Sequence, residues 1–325
     1  YNSKVKSNIR AALSGDYLRG KIVDSMMGQI FAIIVEKFLY GEKIDLIGSH
    51  GQTIDHKDGQ YSLQVGDPSF LQQRYPIPII YDFRTADIHV GGNGAPLMPF
   101  LDWLLLREQG GDMVTLNIGG ISNVTGIPAS GKRADVVGFD TGPGMALIDE
   151  CALRCFTRNM DMDGELSKNG TISESLLNEL MTHEFIHKSP PKSTGRHEFS
   201  EFMVEDILTN NISKTPEDVL RTLIAYTAKS ISHNIGQYLN FKVGKRQVIV
   251  SGGGVKHPIL MDDLRTFNPG LTIVSSQSLG IDPEMKESLL MAVLAYANIH
   301  GIPANMPGVT GAKEYTVLGK QFLKI

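Results

Sequence analysis

The sequence MVTLNIGGISNVTGI, residues 113–127, is the part of this chain that best indicates its fold. Its first five residues are mostly apolar, as in a buried strand, and two glycines follow at positions 119 and 120. Residues 124–127 and 136–139 are apolar runs that predict two more strands. Because the connections are short and rich in glycine, we expect neighbouring strands joined by hairpins.

Helices and strands are predicted to alternate on both sides of this stretch. Helical spacing of apolar residues predicts long helices over residues 16–40, 217–239 and 284–300. Short apolar runs predict buried strands at residues 44–47, 77–81 and 247–251. This alternation predicts the α/β class, with a parallel or mixed sheet covered by helices, and the length of 325 residues favours two domains.

The composition argues against several classes of partner. A net charge of −4 gives no reason to expect nucleic acid or an anionic membrane. No apolar run reaches the roughly 18 residues of a membrane span, and the N-terminus has no signal-peptide pattern. Two cysteines, Cys151 and Cys155, are few enough for a reducing compartment, so we expect a cytoplasmic protein.

Two glycine-containing turns follow strands in the middle of the chain. Gly119 and Gly120 either let backbone N–H groups bind phosphate oxygens or form a tight hairpin with positive φ. Between Gly138 and Gly144, Asp140 ends a strand just before a Gly-Pro-Gly turn and a helix. Its carboxylate is a candidate general base or metal ligand, or else an N-cap of that helix.

A third glycine turn follows the predicted strand at residues 247–251. Gly252, Gly253 and Gly254 lead from this strand into a helix. The arrangement can hold a nucleotide, but it matches neither the P-loop nor the dinucleotide fingerprint, and a plain loop is the alternative.

Polar residues also lie in three segments nearer the N-terminus. His50 and Gln52 lie in SHGQT, Arg84 and Asp87 in DFRTAD, and Asn93 in GGNGAP. Each segment follows a buried strand, so we expect the side chains to gather along one sheet edge and to suit a hydroxyl-rich ligand. For Arg84 and Asp87 the alternative is a surface ion pair.

The sequence HEFIH, from His183 to His187, matches a zinc-protease pattern. That pattern requires both imidazoles on one face of a helix and a third ligand further along the chain. Ser189, Pro190 and Pro191 end any helix within a turn, and no well-spaced third ligand follows. We therefore do not expect zinc here.

Nine short motifs occur in one order along the chain and carry a family resemblance. They are SHGQT, QVGDPSFL, DFRTAD, GNGAPL, LNIGGISN, FDTGPG, PPKSTGR, VSGGG and MKES. In this order they resemble the motifs of the anhydro-N-acetylmuramic acid kinase family, whose eukaryotic relatives include levoglucosan kinase. The resemblance runs from about Lys4 to Ile325, essentially the whole chain.

The resemblance implies an actin–hexokinase fold, with two ribonuclease-H-like domains and ATP in the cleft between them. The first, sugar-binding domain would comprise residues 1–140 and 290–325, and the second, nucleotide-binding domain residues 141–289. The implied reaction hydrolyses the internal 1,6-anhydro bond and phosphorylates O6 with ATP and Mg²⁺, giving the sugar 6-phosphate and ADP. The family also implies cell-wall sugar recycling in the cytoplasm and a homodimer.

The resemblance assigns roles to individual residues. Asp140 matches the catalytic aspartate, which would deprotonate the water that attacks the anomeric carbon, and with Glu287 it would hold the metal. Arg84 matches an arginine that contacts the sugar. The implied ATP site comprises Gly119, Gly120, Asn123, Thr141, Gly142, Gly144, Gly252, Gly253 and Gly254, and the implied sugar site His50, Gln52, Arg84, Asp87 and Asn93.

The chain departs from the family motifs at several positions. Met145 stands where the family usually has Asn, Asn93 where it has Gln, and His197 where Glu is common, one position before Glu198. The family begins with a strand and a phosphate-binding turn, G-x-x-S-G-T-S-x-D-G, that this sequence lacks. Since the chain begins at Tyr1, in a helix predicted over residues 4–12, we expect that upstream residues are absent from this sequence.

The motifs leave the sugar and the class of function open. Anhydro-N-acetylmuramic acid carries a lactyl carboxylate and levoglucosan does not, and Lys192 and Arg196 are candidate partners for that carboxylate. The alternatives to a kinase are a non-catalytic sugar- or nucleotide-binding protein of the same fold and a chaperone-like ATPase. Sugar-dependent turnover of ATP would distinguish a kinase from both.

Overall fold

Helices and strands alternate along the chain, as the apolar periodicity predicts. A computed structural model of the protein describes Val5, Asn8 and residues 17–195, 198–239 and 247–322. The first elements are α1 (Tyr17–Leu39), β1 (Ile47–Gly48), β2 (Gln52–Lys57), β3 (Tyr61–Val65), α2 (Ser69–Arg74), β4 (Ile79–Tyr81), α3 (Thr85–His89) and α4 (Met98–Leu106). The middle elements are β5 (Met113–Ile118), β6 (Ile121–Ile127), β7 (Val137–Pro143), α5 (Ala146–Phe156), α6 (Glu174–Leu180), α7 (Glu184–His187), α8 (Glu201–Asn210) and α9 (Pro216–Tyr238). The last are β8 (Gln247–Ser251), α10 (Pro258–Phe267), β9 (Thr272–Ser275), α11 (Lys286–Ile299), α12 (Pro307–Thr310) and β10 (Lys320–Phe322).

The chain divides into two units. The first consists of Tyr1–Leu101 and Glu287–Ile325, and the second of Asp102–Lys286. The sequence placed the division after residues 140 and 289. The structure corrects the first of these boundaries, because β5 and β6 pair with β7 and β8 and so belong to the second unit.

The first unit contains a small mixed sheet and a separate hairpin. β1 pairs in parallel with one side of β4, and β10 pairs antiparallel with the other side. β2 and β3 form an antiparallel hairpin, on which α1 packs through Val23 and Met27, one helical turn apart, against Ile54 and Val65. After α1, Gly41 takes a positive φ of 83°, as is usual just beyond a helix C-terminus.

The second unit is built on a five-stranded sheet in the order β7-β6-β5-β8-β9. β5, β6 and β7 form the predicted antiparallel meander, whereas β8 and β9 run parallel to β5. A meander extended by parallel strands beside its first strand is the arrangement of the ribonuclease-H-like domain that the resemblance implied. The polar row described below lies on this sheet.

Helix α9 lies at the centre of the second unit's core. It begins at Pro216, just after Thr215, whose Oγ1 accepts a hydrogen bond from Asp218 N at 3.2 Å. Further along, its apolar side chains are fully buried in one cluster with Leu116 of β5 and Val250 of β8. This packing fixes the sheet of the second unit against α9.

The sequence did not predict β2, β10, α3, α6, α7, α8 or α12. Residues 159–200 read as a polar connector, yet they contain α6 and α7, whose Leu176, Leu177 and Phe185 are buried. The helix predicted over residues 4–12 lies outside the described residues except for Val5 and Asn8, which are helical. None of the described helices is both long and apolar enough to span a bilayer.

Candidate active site

Four polar residues form a row across the sheet of the second unit. Asn117 of β5 pairs with Asn123 of β6, and Asn123 pairs with Asp140 of β7. On its other side, Asn117 pairs with Ser251 of β8. Directly paired residues point to the same face of a sheet, so the row concentrates polar groups at one place. The sequence analysis named Asn123 and Asp140 but missed Asn117 and Ser251, although both are polar residues near the ends of otherwise apolar strands.

Asp140 is held by the segment that follows the two prolines. Thr194 N donates to Asp140 Oδ2 at 2.8 Å, and Ser193 Oγ donates to the same oxygen at 3.3 Å. Asp140 N donates to Lys192 O at 3.1 Å. Thr194 Oγ1 in turn donates to Glu198 Oε2 at 2.5 Å. The carboxylate is therefore held in a defined orientation, as a general base must be.

Lys192 directs its ammonium into the protein. Lys192 Nζ donates to Phe185 O at 3.0 Å and to Ile186 O at 3.2 Å. It also lies 4.8 Å from the centre of the Phe185 ring and 5.5 Å from that of Tyr238. Burial lowers the pKa of Lys192 to about 8, although the nearby Asp140 carboxylate opposes this shift.

These contacts bear on the recognition of a substrate carboxylate. Two of the three N–H donors of Lys192 are engaged by backbone carbonyls, which leaves at most one for the predicted contact with a lactyl carboxylate. Arg196, the other candidate, and His197, one of the departures from the family, lie outside the described residues.

The Gly119–Gly120 turn docks on the beginning of α5. Met145 N donates to Gly119 O at 2.8 Å, while Gly144 N and Ala146 N donate to Gly120 O at 2.9 and 3.1 Å. A Cβ at Gly144 would lie 2.2 Å from Gly119 O, so only glycine allows this close approach. The Gly144 amide, a predicted phosphate donor, is therefore already donating to a carbonyl of the turn.

Thr141 and Gly142 lie in the interior rather than on an open surface. Thr141 is fully buried, and its Oγ1 lies 2.7 Å from Ser122 Oγ. Gly142 has a φ of +132°, and a Cβ there would lie 2.8 Å from Ile186 Cδ1. These two residues shape the backbone next to Asp140, whereas the sequence placed them in contact with ATP.

The three glycines after β8 have different environments. A Cβ at Gly252 would lie 2.6 Å from Ile118 O, and one at Gly254 would lie 2.4 Å from Ile118 Cγ2. A Cβ at Gly253 would meet no atom within 4 Å. Gly252 and Gly254 thus allow the turn to pack closely against the end of β5. The space next to Gly253 is open to a ligand.

A cavity of about 440 Å³ in the second unit brings two of the predicted glycine turns together. Gly119, Gly120 and Gly253 line it, together with Met145 and Lys256. Its volume lies within the range of roughly 300–1,000 Å³ that is usual for small-molecule sites. Backbone exposed at the glycines and a mixed polar and apolar lining suit a nucleotide.

A buried polar cluster that the sequence analysis missed supports one wall of this cavity. His257 Nε2 lies 3.2 Å from Asp161 Oδ2, and Ser167 Oγ donates to the same oxygen at 2.5 Å. Leu166 N donates to Asp161 Oδ1 at 2.8 Å. Burial would raise the pKa of Asp161, but the hydrogen bonds from His257 and Ser167 outweigh it and hold that pKa below its usual value.

A buried ion pair adjoins the Ser251 end of the polar row. Lys286 Nζ is 2.5 Å from Asp102 Oδ1, and both side chains are almost fully buried. Thr115 Oγ1 donates to Asp102 Oδ2 at 2.6 Å, and Lys286 Nζ donates to Ser251 Oγ at 3.4 Å. The sequence motifs MKES and VSGGG contain Lys286 and Ser251, but no role was predicted for either residue or for Asp102.

In the first unit, the predicted sugar residues His50 and Arg84 contact each other. His50 Nε2 accepts hydrogen bonds from Arg84 Nε at 3.2 Å and Nη2 at 3.0 Å, while His50 Nδ1 donates to Gly51 O at 3.0 Å. Burial and the Arg84 charge lower the pKa of His50 to about 4, so its imidazole is neutral at pH 7. Burial lowers the pKa of Arg84 to about 10, and the Glu287 carboxylate partly offsets that effect.

Asp87 is buried beneath the loop that contains Asn93 and is not a surface residue. The Asp87 side chain is fully buried, and its Oδ2 accepts from Gly94 N at 2.8 Å. Its Oδ1 accepts from Asn305 Nδ2 at 3.0 Å and from Thr310 Oγ1 at 2.9 Å. The alternative ion pair between Asp87 and Arg84 does not form, and the Asp87 carboxylate instead holds the loop through Gly94 N.

The remaining predicted residues are partly or fully accessible. Gln52 is half-buried in β2, and its Nε2 donates to Thr53 O at 3.2 Å. Asn93 is half-buried, and its backbone N donates to Thr310 O at 2.8 Å. Glu287 is exposed in the first turn of α11.

The zinc-protease pattern does not form a metal site. His183 precedes the single turn of α7 and accepts from Phe185 N through its ring, and His187 Nε2 lies 2.7 Å from Met181 O. Across the described ranges, no three His, Cys, Asp or Glu side chains are grouped so that they could hold a metal ion.

Comparisons with known proteins point to one family. The family model described as "Anhydro-N-acetylmuramic acid kinase" matches residues 7–324. A protein of that name from Bacillus cereus is 37% identical over 97% of this chain and 87% of its own length. One from Bacillus thuringiensis (strain Al Hakam) is 36% identical over 97% of this chain and 86% of its own length.

Solved structures show more distant similarity. A ROK family glucokinase from Streptomyces griseus, in complex with glucose and AMPPNP, is 11% identical with a TM-score of 0.39, covering 84% of this chain and 89% of that chain. An activator of 2-hydroxyisocaproyl-CoA dehydratase from Clostridium difficile, with bound ADPNP, is 14% identical with a TM-score of 0.40, covering 60% and 65%.

Proposed function

Because the chain belongs to the anhydro-N-acetylmuramic acid kinase family, we propose that it uses ATP to convert anhydro-N-acetylmuramic acid into the sugar 6-phosphate. The family assignment confirms the resemblance read from the nine motifs. The observation that supports the chemistry best is Asp140, a carboxylate in the middle of β7 that is oriented by Thr194 N and Ser193 Oγ. The second unit also contains a glycine-lined cavity of nucleotide size.

The proposed reaction uses Asp140 as a general base. Its carboxylate takes a proton from a water molecule, whose oxygen then bonds to the anomeric carbon while the C1–O6 bond breaks. The released O6 bonds to the γ-phosphorus of ATP as the bond to the β-phosphate oxygen breaks, and ADP leaves. Backbone N–H groups near the phosphates would stabilise the negative charge of the transferring group.

Mg²⁺ is proposed as the metal of this reaction. Magnesium in such sites is usually held by one or two carboxylates together with phosphates and water. Asp140 and Glu287 are the proposed carboxylates, and no larger ligand set is present in the described part of the chain. Mg²⁺ would neutralise charge on the phosphates of ATP during transfer.

A coupled ADP-release assay with MgATP tests this function. Anhydro-N-acetylmuramic acid and levoglucosan are compared as acceptors, and we expect turnover that depends on the first sugar. A preference for levoglucosan would change the substrate but keep the reaction. Absence of turnover with either sugar, together with ligand binding in calorimetry, would favour the non-catalytic alternative.

Substitution of Asp140 tests the assigned base. We expect Asp140→Asn to lower kcat by about 10²–10⁴-fold, the usual contribution of a general base. Asp206→Asn, on the exposed surface of α8, serves as the matched control and should keep the wild-type rate. A wild-type rate in Asp140→Asn would remove Asp140 from the mechanism.

Location and assembly are part of the same proposal. We infer a cytoplasmic homodimer, as the family resemblance implies and the small number of cysteines allows. Light scattering of the purified chain would give its mass, and a monomer at micromolar concentration would contradict the dimer.

A further inference from the structure

The two residues that flank Asp140 are both tied to α7. The Phe139 ring lies 5.9 Å from Lys192 Nζ, which donates to Ile186 O at 3.2 Å. Thr141 O accepts a hydrogen bond from Asn234 Nδ2 at 3.1 Å, and Asn234 Nδ2 also lies 3.3 Å from Ile186 O. The Ile186 carbonyl is therefore a common anchor for contacts on both sides of Asp140.

Lys192 belongs to the segment that holds the Asp140 carboxylate. Its backbone oxygen accepts from Asp140 N at 3.1 Å. The next two residues, Ser193 and Thr194, supply the donors to Asp140 Oδ2 at 3.3 and 2.8 Å. The position of the carboxylate thus depends on where this short segment lies.

We propose that Lys192 is a positioning residue for Asp140, an inference that rests on the proposed role of Asp140 as the base. The Lys192 ammonium fastens residues 192–194 to the Phe185 and Ile186 carbonyls, and the segment then presents Ser193 and Thr194 to the carboxylate. Lys192 acts through these neighbours and contacts neither substrate.

The side chain of lysine suits this role. Its ammonium supplies several donors for two neighbouring carbonyls, and its apolar stem can lie among the rings of Phe139, Phe185 and Tyr238. Methionine has a similar apolar stem but no donor, whereas arginine keeps both the charge and the donors. The pair of variants therefore separates hydrogen bonding from packing.

Steady-state kinetics of three variants test the proposal. We expect Lys192→Met to lower kcat by about 10–100-fold with KM for both substrates within about threefold, because misplacing a catalytic group affects the chemical step. Lys192→Arg should recover kcat to within about fivefold of the wild type. Lys188→Met is the matched control, since Lys188 also lies over the Phe185 ring, at 6.0 Å, but is exposed and pairs with Glu184; it should keep wild-type kcat.

Amide hydrogen exchange at Thr194 provides a readout that needs no turnover. The Thr194 amide donates to Asp140 Oδ2, so it should exchange slowly in the wild type. In Lys192→Met it should exchange at least about tenfold faster, while amides in α9 keep their protection. An inactive wild type would count against the proposed function, whereas the exchange at Thr194 would still test the positioning.

Several outcomes would overturn the proposal. One is a folded Lys192→Met with kcat within twofold of the wild type and an unchanged Thr194 amide. Another is a rise in KM for the sugar alone, which would indicate a direct contact between Lys192 and the substrate. If Lys192→Met does not fold, the result for Lys192→Arg decides. A kcat near that of the wild type together with a protected Thr194 amide supports the positioning role. A large loss of kcat while that amide remains protected refutes it.

Discussion

At the residue scale, the environment of His50 predicts a pH dependence of stability. Burial and Arg84 lower the pKa of His50 to about 4, so between pH 6.5 and 4 the unfolded chain binds a proton that the folded chain excludes. The free energy of unfolding should therefore fall as the pH falls through this range. Because a tenfold change in proton affinity corresponds to about 1.4 kcal/mol, His50 accounts for up to about 3 kcal/mol of that loss.

Urea unfolding between pH 7 and 4 measures this effect. His50→Gln keeps an acceptor for Arg84 but has no proton to gain, so its stability should fall less steeply with decreasing pH than that of the wild type. His89 is an exposed histidine of the same unit, so His89→Gln is the control and should keep the wild-type dependence of stability on pH. Equal slopes for His50→Gln and the wild type would contradict the assignment.

At the scale of elements, the buried ion pair between Asp102 and Lys286 connects α4 with β5 and β8 through hydrogen bonds. Removing one partner leaves an uncompensated buried charge, so Asp102→Asn or Lys286→Met should destabilise the protein by about 3–5 kcal/mol. The double variant Asp102→Asn with Lys286→Met leaves no charge, and we expect it to regain much of that loss.

Thermal unfolding of the single and double variants measures this coupling. The control is Lys256→Met, which breaks the exposed ion pair with Glu284 at 2.8 Å and should leave stability nearly unchanged, because solvent screens exposed ion pairs. Additive effects of the Asp102 and Lys286 substitutions would show that the two side chains do not act as a pair.

At the scale of the whole molecule, ATP should stabilise the folded chain by mass action. An ATP concentration one hundred times its Kd contributes about 2.7 kcal/mol, which raises the Tm by several degrees. Gly253→Leu should keep the Tm of the free protein, since a Cβ there meets no atom within 4 Å, but should abolish the rise with ATP. Gly236→Leu, at an exposed position in α9 that is equally open, should retain the rise. A rise in Tm with ATP that persists in Gly253→Leu would show that the cavity is not the ATP site.

How far the sequence predicts the structure depends on how local each feature is. The three strands around Gly119 and the long helices α1, α9 and α11 were predicted because their apolar periodicity lies within one continuous stretch. β10 was not predicted, because its three residues are defined by pairing with β4. The boundary after Leu101 likewise follows from strand pairing that periodicity does not express.

The candidate site shows the same difference. The family could be predicted from the sequence alone, because its nine ordered motifs are each read from neighbouring residues. The prediction that Asp140 ends a strand was wrong, since β7 continues through Thr141 and Gly142 to Pro143 by pairing with β6. Which polar groups are already engaged within the protein became clear from the folded structure alone. Asp87 is bound by Asn305 and Thr310, and Lys192 by backbone carbonyls of α7. Whether a polar group faces a ligand or the protein depends on partners brought close by folding, and the local sequence does not specify those partners.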